Sequence, residues 1–231
     1  GATVAGSRPA ASPSLNDYPR CDDKVRQLAE ELFGKGDAPK EITARKVGKG
    51  RIYWGQAFEK KFQRNRDVQQ WLADAKWIWH PEGNPAQAVA PGECYFQRTI
   101  TVSAEHTCER AQLFMAADNS FTCWINGEAA TAGSDYSWPS SVDITPLMKP
   151  GENLLTVTAE NGGNSPNPAA LIGAIVLHYS DGQTETIVSD KQWLAAKEKD
   201  AGEQWLPALE IGKLGMAPWG CLLYTSDAAD E

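Results

Sequence analysis

From Lys76 onward the chain is written in short segments whose apolar and polar residues alternate, each cut off by Gly, Pro, Asn or Asp. A two-residue period sends successive side chains to opposite faces, so such segments form strands with one face buried. Residues 95–102 alternate from Phe96, and the runs 111–117 and 121–125 follow. The last of these ends in Asn126-Gly127, a strong hairpin signal because both turn positions need positive φ. Residues 142–147 read as a short strand stopped by Pro146, and residues 149–152 as a turn. Residues 153–160 alternate again, and the runs 170–179 and 185–189 flank a second hairpin signal, Asp181-Gly182. Trp193 opens a final strand. About eight strands at this spacing predict a β-sandwich or jelly roll over residues 73–220. No internal repeat is present.

The first 72 residues follow a different grammar. Residues 1–16 are rich in Ala, Ser, Gly and Pro and read as a linker or an edge segment. A helix opens at Asp22 or Asp23, carries Val25, Leu28, Ala29, Leu32 and Phe33 at helical spacing, and stops at Gly34 and Gly36. Lys24, Arg26, Glu30 and Glu31 occupy its other face, so the apolar face must dock on something. Residues 42–47 and 51–55 read as two strands around Gly48-Lys49-Gly50. That turn lacks the spacing and the Ser/Thr of a phosphate-binding loop. Residues 56–72 read as a charged helix. The whole predicts a mainly β protein with a small N-terminal α/β segment over residues 1–72.

The last eleven residues, 221–231, fit no fold element. Read back into codons they match the end sequence and adapter of transposase-based library preparation. They are expected to be a non-native tail from sequenced fragments, and the natural protein is expected to be longer at this end.

Composition removes several function classes. A net charge of -8 and a pI near 5.0 repel nucleic acid and anionic membrane surfaces alike. No apolar run approaches the roughly 20 residues of a membrane span, and no signal-peptide pattern begins at Gly1. The five cysteines form no CxxC pair and have no His at zinc spacing. Cys94, Cys108 and Cys123 lie among strand residues and read as buried thiols, with a Cys94–Cys108 disulfide as the alternative in an exported chain. His80, His106 and His178 accompany no nucleophile motif. Among the 30 acidic residues, Asp118, Asp135, Asp143 and Glu160 are the best placed for a glycosidase pair, which needs carboxyls about 5–9 Å apart. Turn and surface roles account for each, so no catalytic residue is assigned.

The run Ala75-Lys76-Trp77-Ile78-Trp79, then Tyr95-Phe96-Gln97-Arg98-Thr99, then Ala117-Asp118-Asn119-Ser120-Phe121-Thr122-Cys123-Trp124-Ile125-Asn126-Gly127 resembles galactose-binding-like jelly rolls. Asp143-Ile144-Thr145-Pro146-Leu147, Lys149-Pro150-Gly151-Glu152-Asn153 and Ala159-Glu160-Asn161-Gly162-Gly163 continue the pattern, which runs from Trp77 to Trp205. Such modules are appended to large bacterial glycosidases, α-L-rhamnosidases and β-mannosidase-like enzymes among them. Residues 12–22 and 47–52 are similar to the α/β domain that follows the barrel in large α-L-rhamnosidases, itself related to the trimerisation domain of some β-galactosidases. The resemblance implies that Gly1 lies inside this domain and that the catalytic barrel, with its carboxylates, lies upstream.

A carbohydrate-binding role is the function this resemblance implies, in a secreted or periplasmic bacterial protein. Sugars offer apolar C–H faces to aromatic rings and hydroxyls to Asn, Asp and Arg, on loops that a rigid scaffold presents. Residues 133–139 hold Asp135, Tyr136 and Trp138, and residues 160–168 hold Asn161, Asn164 and Asn167. These six are the expected sugar contacts. Trp77, Trp79, Trp124 and Trp193 read as core or sheet-face residues. The expected partners are an oligo- or polysaccharide and the upstream catalytic domain of the same parent chain, with no nucleic acid and no membrane. No cofactor is expected, and no motif supports a structural calcium. Two alternatives stay open: a structural module that packs on the barrel without binding sugar, and a glycosidase active by itself.

Overall fold

The structure is a computed structural model that describes residues 2–13, 16–199 and 201–220. The adapter-like segment 221–231 lies outside the described residues. The chain divides after Arg66 into two units.

In the first unit, β1 (Thr3–Ala5), β2 (Thr43–Val47) and β3 (Gly50–Trp54) form a sheet in the order β1-β3-β2. β2 and β3 pair antiparallel with Val47 opposite Gly50, so Gly48-Lys49 is the two-residue turn that the sequence implied. β1 pairs in parallel with β3, Thr3 opposite Arg51, inside the stretch read as linker or edge. Helix α1 (Arg20–Phe33) starts two residues before Asp22 and ends at Gly34, whose φ of 98° suits a residue without Cβ. Its apolar face is divided. Ala29 and Phe33 are buried, and the Phe33 ring meets Trp54 edge-on at 5.5 Å. Leu28 (56% exposed) and Leu32 (39% exposed) remain open.

Helix α2 (Gln56–Trp71) leads into the second unit. There the alternating segments become β4 (Lys76–Trp79), β5 (Gly92–Val102), β6 (Cys108–Asp118), β7 (Ser120–Ile125), β8 (Glu128–Gly133) and β9 (Ser140–Asp143). They continue as β10 (Gly151–Asn161), β11 (Ala170–Tyr179), β12 (Thr184–Val188), β13 (Leu194–Ala196), β14 (Leu206–Pro207) and β15 (Leu209–Lys213). One sheet has the order β14-β13-β5-β10-β7-β8, the other β15-β4-β11-β6-β9 with β12 beside β11. The protein is mainly β, and this unit is a β-sandwich, as the alternation predicts.

Between the sheets lie Trp79, Phe96, Leu113, Met115, Ile125, Leu155, Val157, Leu171 and Trp193, each at most 1% exposed. A second apolar cluster covers the outer face of the second sheet. Phe114, Ala116, Ile172, Ala174 and Val176 pack there under Val68 and Leu72 from the end of α2 and under Trp219, which stacks on Trp77 at 4.8 Å. This is why residues 170–177 run apolar without alternation: β11 is buried on both faces.

Three expectations change. The strand read over 142–147 stops at Asp143, because the Asp143 carboxylate accepts hydrogen bonds from the Thr145 N–H (2.9 Å) and hydroxyl (2.6 Å) and turns the chain into a 3-10 turn, Thr145–Leu147. The single final strand is three pieces, and β15 crosses to the second sheet beside β4. The Cys94–Cys108 disulfide is not formed, and both residues are free thiols. Register explains it: Cys94 lies opposite Ala159 near the start of β5, whereas Cys108 lies opposite Tyr179 at the far end of the other sheet. Cys108 is also partly exposed rather than buried.

Burial pushes the Cys94 and Cys123 thiols up to about 12, so neither supplies thiolate near neutral pH. In native protein a thiol-specific reagent should label Cys108 and leave Cys94 and Cys123 untouched until denaturant is added, as peptide mass mapping will read. Phe96, fully buried with its ring 5.6 Å from Trp79, should cost about 3–5 kcal/mol of unfolding free energy when truncated to Ala, measured by urea denaturation.

Candidate functional site

Register places the loops. In the β5–β10 pair Gly92 faces Asn161 and Val102 faces Gly151. In the β6–β11 pair Asp118 faces Ala170, and β9 enters with Ser140 beside Met115. The connections 80–91, 118–120, 134–139 and 162–169 therefore gather at one end of the sandwich. Both loops singled out from sequence are among them.

Hydrogen bonds knit three of these connections into one polar surface. The Gly162 N–H donates to Asn119 Oδ1 (2.6 Å), and the Asn119 N–H donates to the Glu160 carbonyl (2.8 Å). Val89 and Asn167 exchange backbone hydrogen bonds at 2.8 and 3.1 Å, tying the 80–91 connection to the 162–169 loop. The Ser120 hydroxyl donates to Glu160 Oε2 (3.1 Å). On the outer side, the Trp219 indole N–H donates to Asp118 Oδ2 (2.9 Å).

The six expected contacts have different roles within this frame. Asn161 is 1% exposed, and its Nδ2 donates to the carbonyls of Val89 (2.9 Å) and Ala90 (3.3 Å). That corrects the reading of this residue as a surface amide, since it sits at an inward position of β10 and clamps a neighbouring loop. Asn167 is half-buried and donates to the carbonyls of Gly162 (2.9 Å) and Ser165 (3.0 Å), which curls its own loop. Asn164 is exposed at the tip. In the other loop Asp135 Oδ1 accepts from the Ser137 N–H (2.8 Å) and hydroxyl (2.6 Å), an Asx turn that sets the loop's shape. Tyr136 is half-buried against the apolar cover of the second sheet, and Trp138 is 39% exposed. The outward groups are thus Trp138 and Asn164, and the others largely build the platform.

Asn119 and Trp219 belong to this frame and were not singled out as site residues. The three-residue junction 118–120 between strand-like runs carries little loop signal, and Trp219 sits in a segment without periodicity. Burial raises the Asp118 carboxyl above its usual 3.8, with the Trp219 hydrogen bond acting in the opposite sense. Of the other acids weighed for catalysis, Asp143 lies at the opposite end of the sandwich, held below the usual range by its hydrogen bonds from Thr145. Among the described residues no group of three or more His, Cys, Asp or Glu side chains is placed to hold a metal ion. No helix among them is long and apolar enough to cross a membrane.

The glycoside hydrolase 106 family model, described as alpha-L-rhamnosidase, matches residues 1–82. An alpha-L-rhamnosidase of Streptomyces avermitilis is 30% identical over 176 residues, which are 69% of this chain and 16% of that protein. This chain resembles part of an α-L-rhamnosidase. The crystal structure of the Streptomyces avermitilis alpha-L-rhamnosidase with L-rhamnose matches 65% of this chain and 16% of that one, with a TM-score of 0.60 at 27% identity. The Pleurotus ostreatus lectin in complex with GalNAc matches 64% of this chain and 45% of the lectin, with a TM-score of 0.56 at 31% identity. The chain thus spans 16% of the curated rhamnosidase's length, and its sandwich is of the galactose-binding-like kind.

The raised Asp118 carboxyl carries a consequence for pH. An acid whose pKa is raised by folding opposes folding once it ionises, so the loss begins near 3.8 and grows as pH rises through the folded value. Asp118→Asn keeps an acceptor for Trp219 without the charge. The variant should gain thermal stability relative to wild type as pH is raised from 4 to 7, and the two Tm curves should approach each other at the acid end.

Proposed function

We propose that this chain is a non-catalytic, carbohydrate-binding region of a secreted bacterial glycoside hydrolase of α-L-rhamnosidase type, attached to a catalytic barrel upstream in the parent chain. The observation that carries this reading is the end of the sandwich, where four connections gather and three of them hydrogen-bond one another into a polar surface with Trp138 of the fourth exposed. A preformed surface of this kind loses little entropy on binding. An exposed indole supplies the apolar plate that a sugar ring stacks on, and the amides and hydroxyls around it suit sugar hydroxyls. Likeness to a lectin and to a rhamnosidase, both solved with sugars, supports the ligand class. Binding is expected through Trp138 and Asn164, with Asp135, Tyr136, Asn161 and Asn167 shaping the surface.

A second reading has its own observation. Leu28 and Leu32 lie one turn apart on α1 and are open. A module whose task is to pack on the barrel would bury them there. In this reading the chain binds no sugar, so a binding measurement separates the two.

Affinity electrophoresis of the purified chain through gels of plant and microbial polysaccharides tests the first reading. Retention by at least one polysaccharide is expected, weakened about tenfold or more in Trp138→Ala and in Asn164→Ala. Migration unchanged by every polysaccharide would overturn it.

A further inference from the structure

A sandwich has four sheet faces, and three of them are used here. The two inner faces form the core, and α2 with Trp219 covers the outer face of the second sheet. The outer face of the first sheet carries an open depression of about 500 Å3 instead, within the range of small-ligand sites, roughly 300–1,000 Å3. It lies on the broad face of the sheet, formed by outward residues of β5, β7 and β10, not at the loop end described above.

Strand parity dictates its floor. Cys94 and Phe96 point inward, so Tyr95 and Gln97 point out; Cys123 and Ile125 point inward, so Trp124 points out; Val157 and Ala159 point inward, so Thr156 and Thr158 point out. Register then sets these residues side by side. Gln97, Thr156 and Trp124 form one row across three strands, and Tyr95 faces Thr158 in the next. At the spacing of neighbouring strands the row is roughly 10 Å long. Trp205 forms a wall. It follows the 3-10 turn Gly202–Gln204 and precedes β14, whose pairing with β13 (Ala195 opposite Leu206) fixes where the indole stands.

We infer that this depression is a second carbohydrate site, which takes one or two pyranose rings of a glycan across the face of the sheet. Three half-buried aromatic rings, Tyr95, Trp124 and Trp205, line a cleft in a place where a solvated sheet face normally carries small polar residues. Rings that are neither packed away nor fully open keep apolar area to cover, and the C–H face of a pyranose covers it. Between them Gln97, Thr156 and Thr158 offer hydroxyls and an amide to sugar hydroxyls. Among the described residues that line the cleft Lys199 is the charged one, and its ammonium adds a donor for sugar hydroxyls. The Tyr95 hydroxyl donates to the Glu93 carboxylate, which holds the phenol ring in place before a ligand arrives. The concavity and the polar groups set between the rings favour a sugar over the flat apolar contact of a protein domain.

The inference rests on the reading that the sandwich binds carbohydrate, and the test separates the two. The full chain is titrated with L-rhamnose and with neutral gluco-, manno-, xylo- and galacto-oligosaccharides, followed by calorimetry. For any sugar that binds, Trp124→Ala and Trp205→Ala should weaken affinity about tenfold or more, with Gln97→Ala as a milder variant that leaves the aromatic packing intact. Oxidation of wild-type tryptophans by N-bromosuccinimide, mapped by mass spectrometry, needs no variant to fold: bound sugar should protect Trp124 and Trp205. Binding that survives in all three cleft variants, with protection at Trp138 alone, would overturn the cleft site and leave the proposed function standing. Absence of binding to every sugar would overturn both. Cleft tryptophans protected by a co-expressed catalytic domain and by no sugar would assign the face to a protein partner and sink the inference.

Discussion

β10 is held along its whole length, by β5 over eleven paired positions and by β7 over six of them. A slip of one residue in either pairing would carry Leu155, Val157 and Ala159 out of the core and bring Thr156 and Thr158 in. The inward apolar residues on all three strands are fully or nearly fully buried, so no such slip is tolerated. That constraint decides far more than the core. It aligns Gln97, Thr156 and Trp124 across the outer face, sets Gly92 against Asn161 at one end, and so puts the connections there within hydrogen-bonding reach of one another.

The two sheets are treated unequally, and the inequality organises function. β11 is apolar on both sides because its sheet is sandwiched between the core and a cover made from α2 and Trp219. The cover reaches the polar end through the hydrogen bond from Trp219 to Asp118, next to Asn119, which holds the 162–169 loop. The platform is therefore anchored to two apolar clusters as well as to its own hydrogen bonds. At the other end, Asn153 is fully buried with all its capacity used. It accepts from the Lys149 N–H and Asn126 Nδ2, both at 2.9 Å, and donates to the carbonyls of Lys149 (2.7 Å) and Gly151 (3.0 Å). Buried amides survive in such a core when fully satisfied, and this one pins the Asn126-Gly127 hairpin to the turn before β10.

Legibility in the sequence follows the range of the physics involved. Period-two alternation and turn chemistry are local, so the sandwich, the Asn126-Gly127 turn (φ 53° and 85°) and the Gly34 helix stop could be read directly. β1 and β14 could not, because three-residue and two-residue strands owe their existence to the neighbour that pairs with them. The same limit applies to the site. That two polar loops share one end follows from register, which a sequence does not display. Asn161 looked like a loop amide because its neighbours Gly162, Gly163 and Asn164 are polar, yet β10 runs one residue further than the alternation suggests and turns it inward. For Trp124, parity with Cys123 and Ile125 was visible, and what parity leaves undecided is which sheet face another part of the chain will cover.

The two proposed carbohydrate surfaces differ in what holds them. The platform at the end of the sandwich is made of connections, and its shape depends on side-chain amides such as Asn119, Asn161 and Asn167 bonding to backbone groups. The cleft is built on paired strands whose positions are set by continuous ladders. Connections tolerate substitution more readily than a paired strand does, so specificity for one sugar is more easily varied at the end, while a stacking floor on the sheet is harder to lose. A module with both would recognise a particular group through its loops and hold the chain that carries it across its face. That division would suit the proposed accessory region, whose contribution to a parent enzyme would be raised local concentration of substrate rather than chemistry.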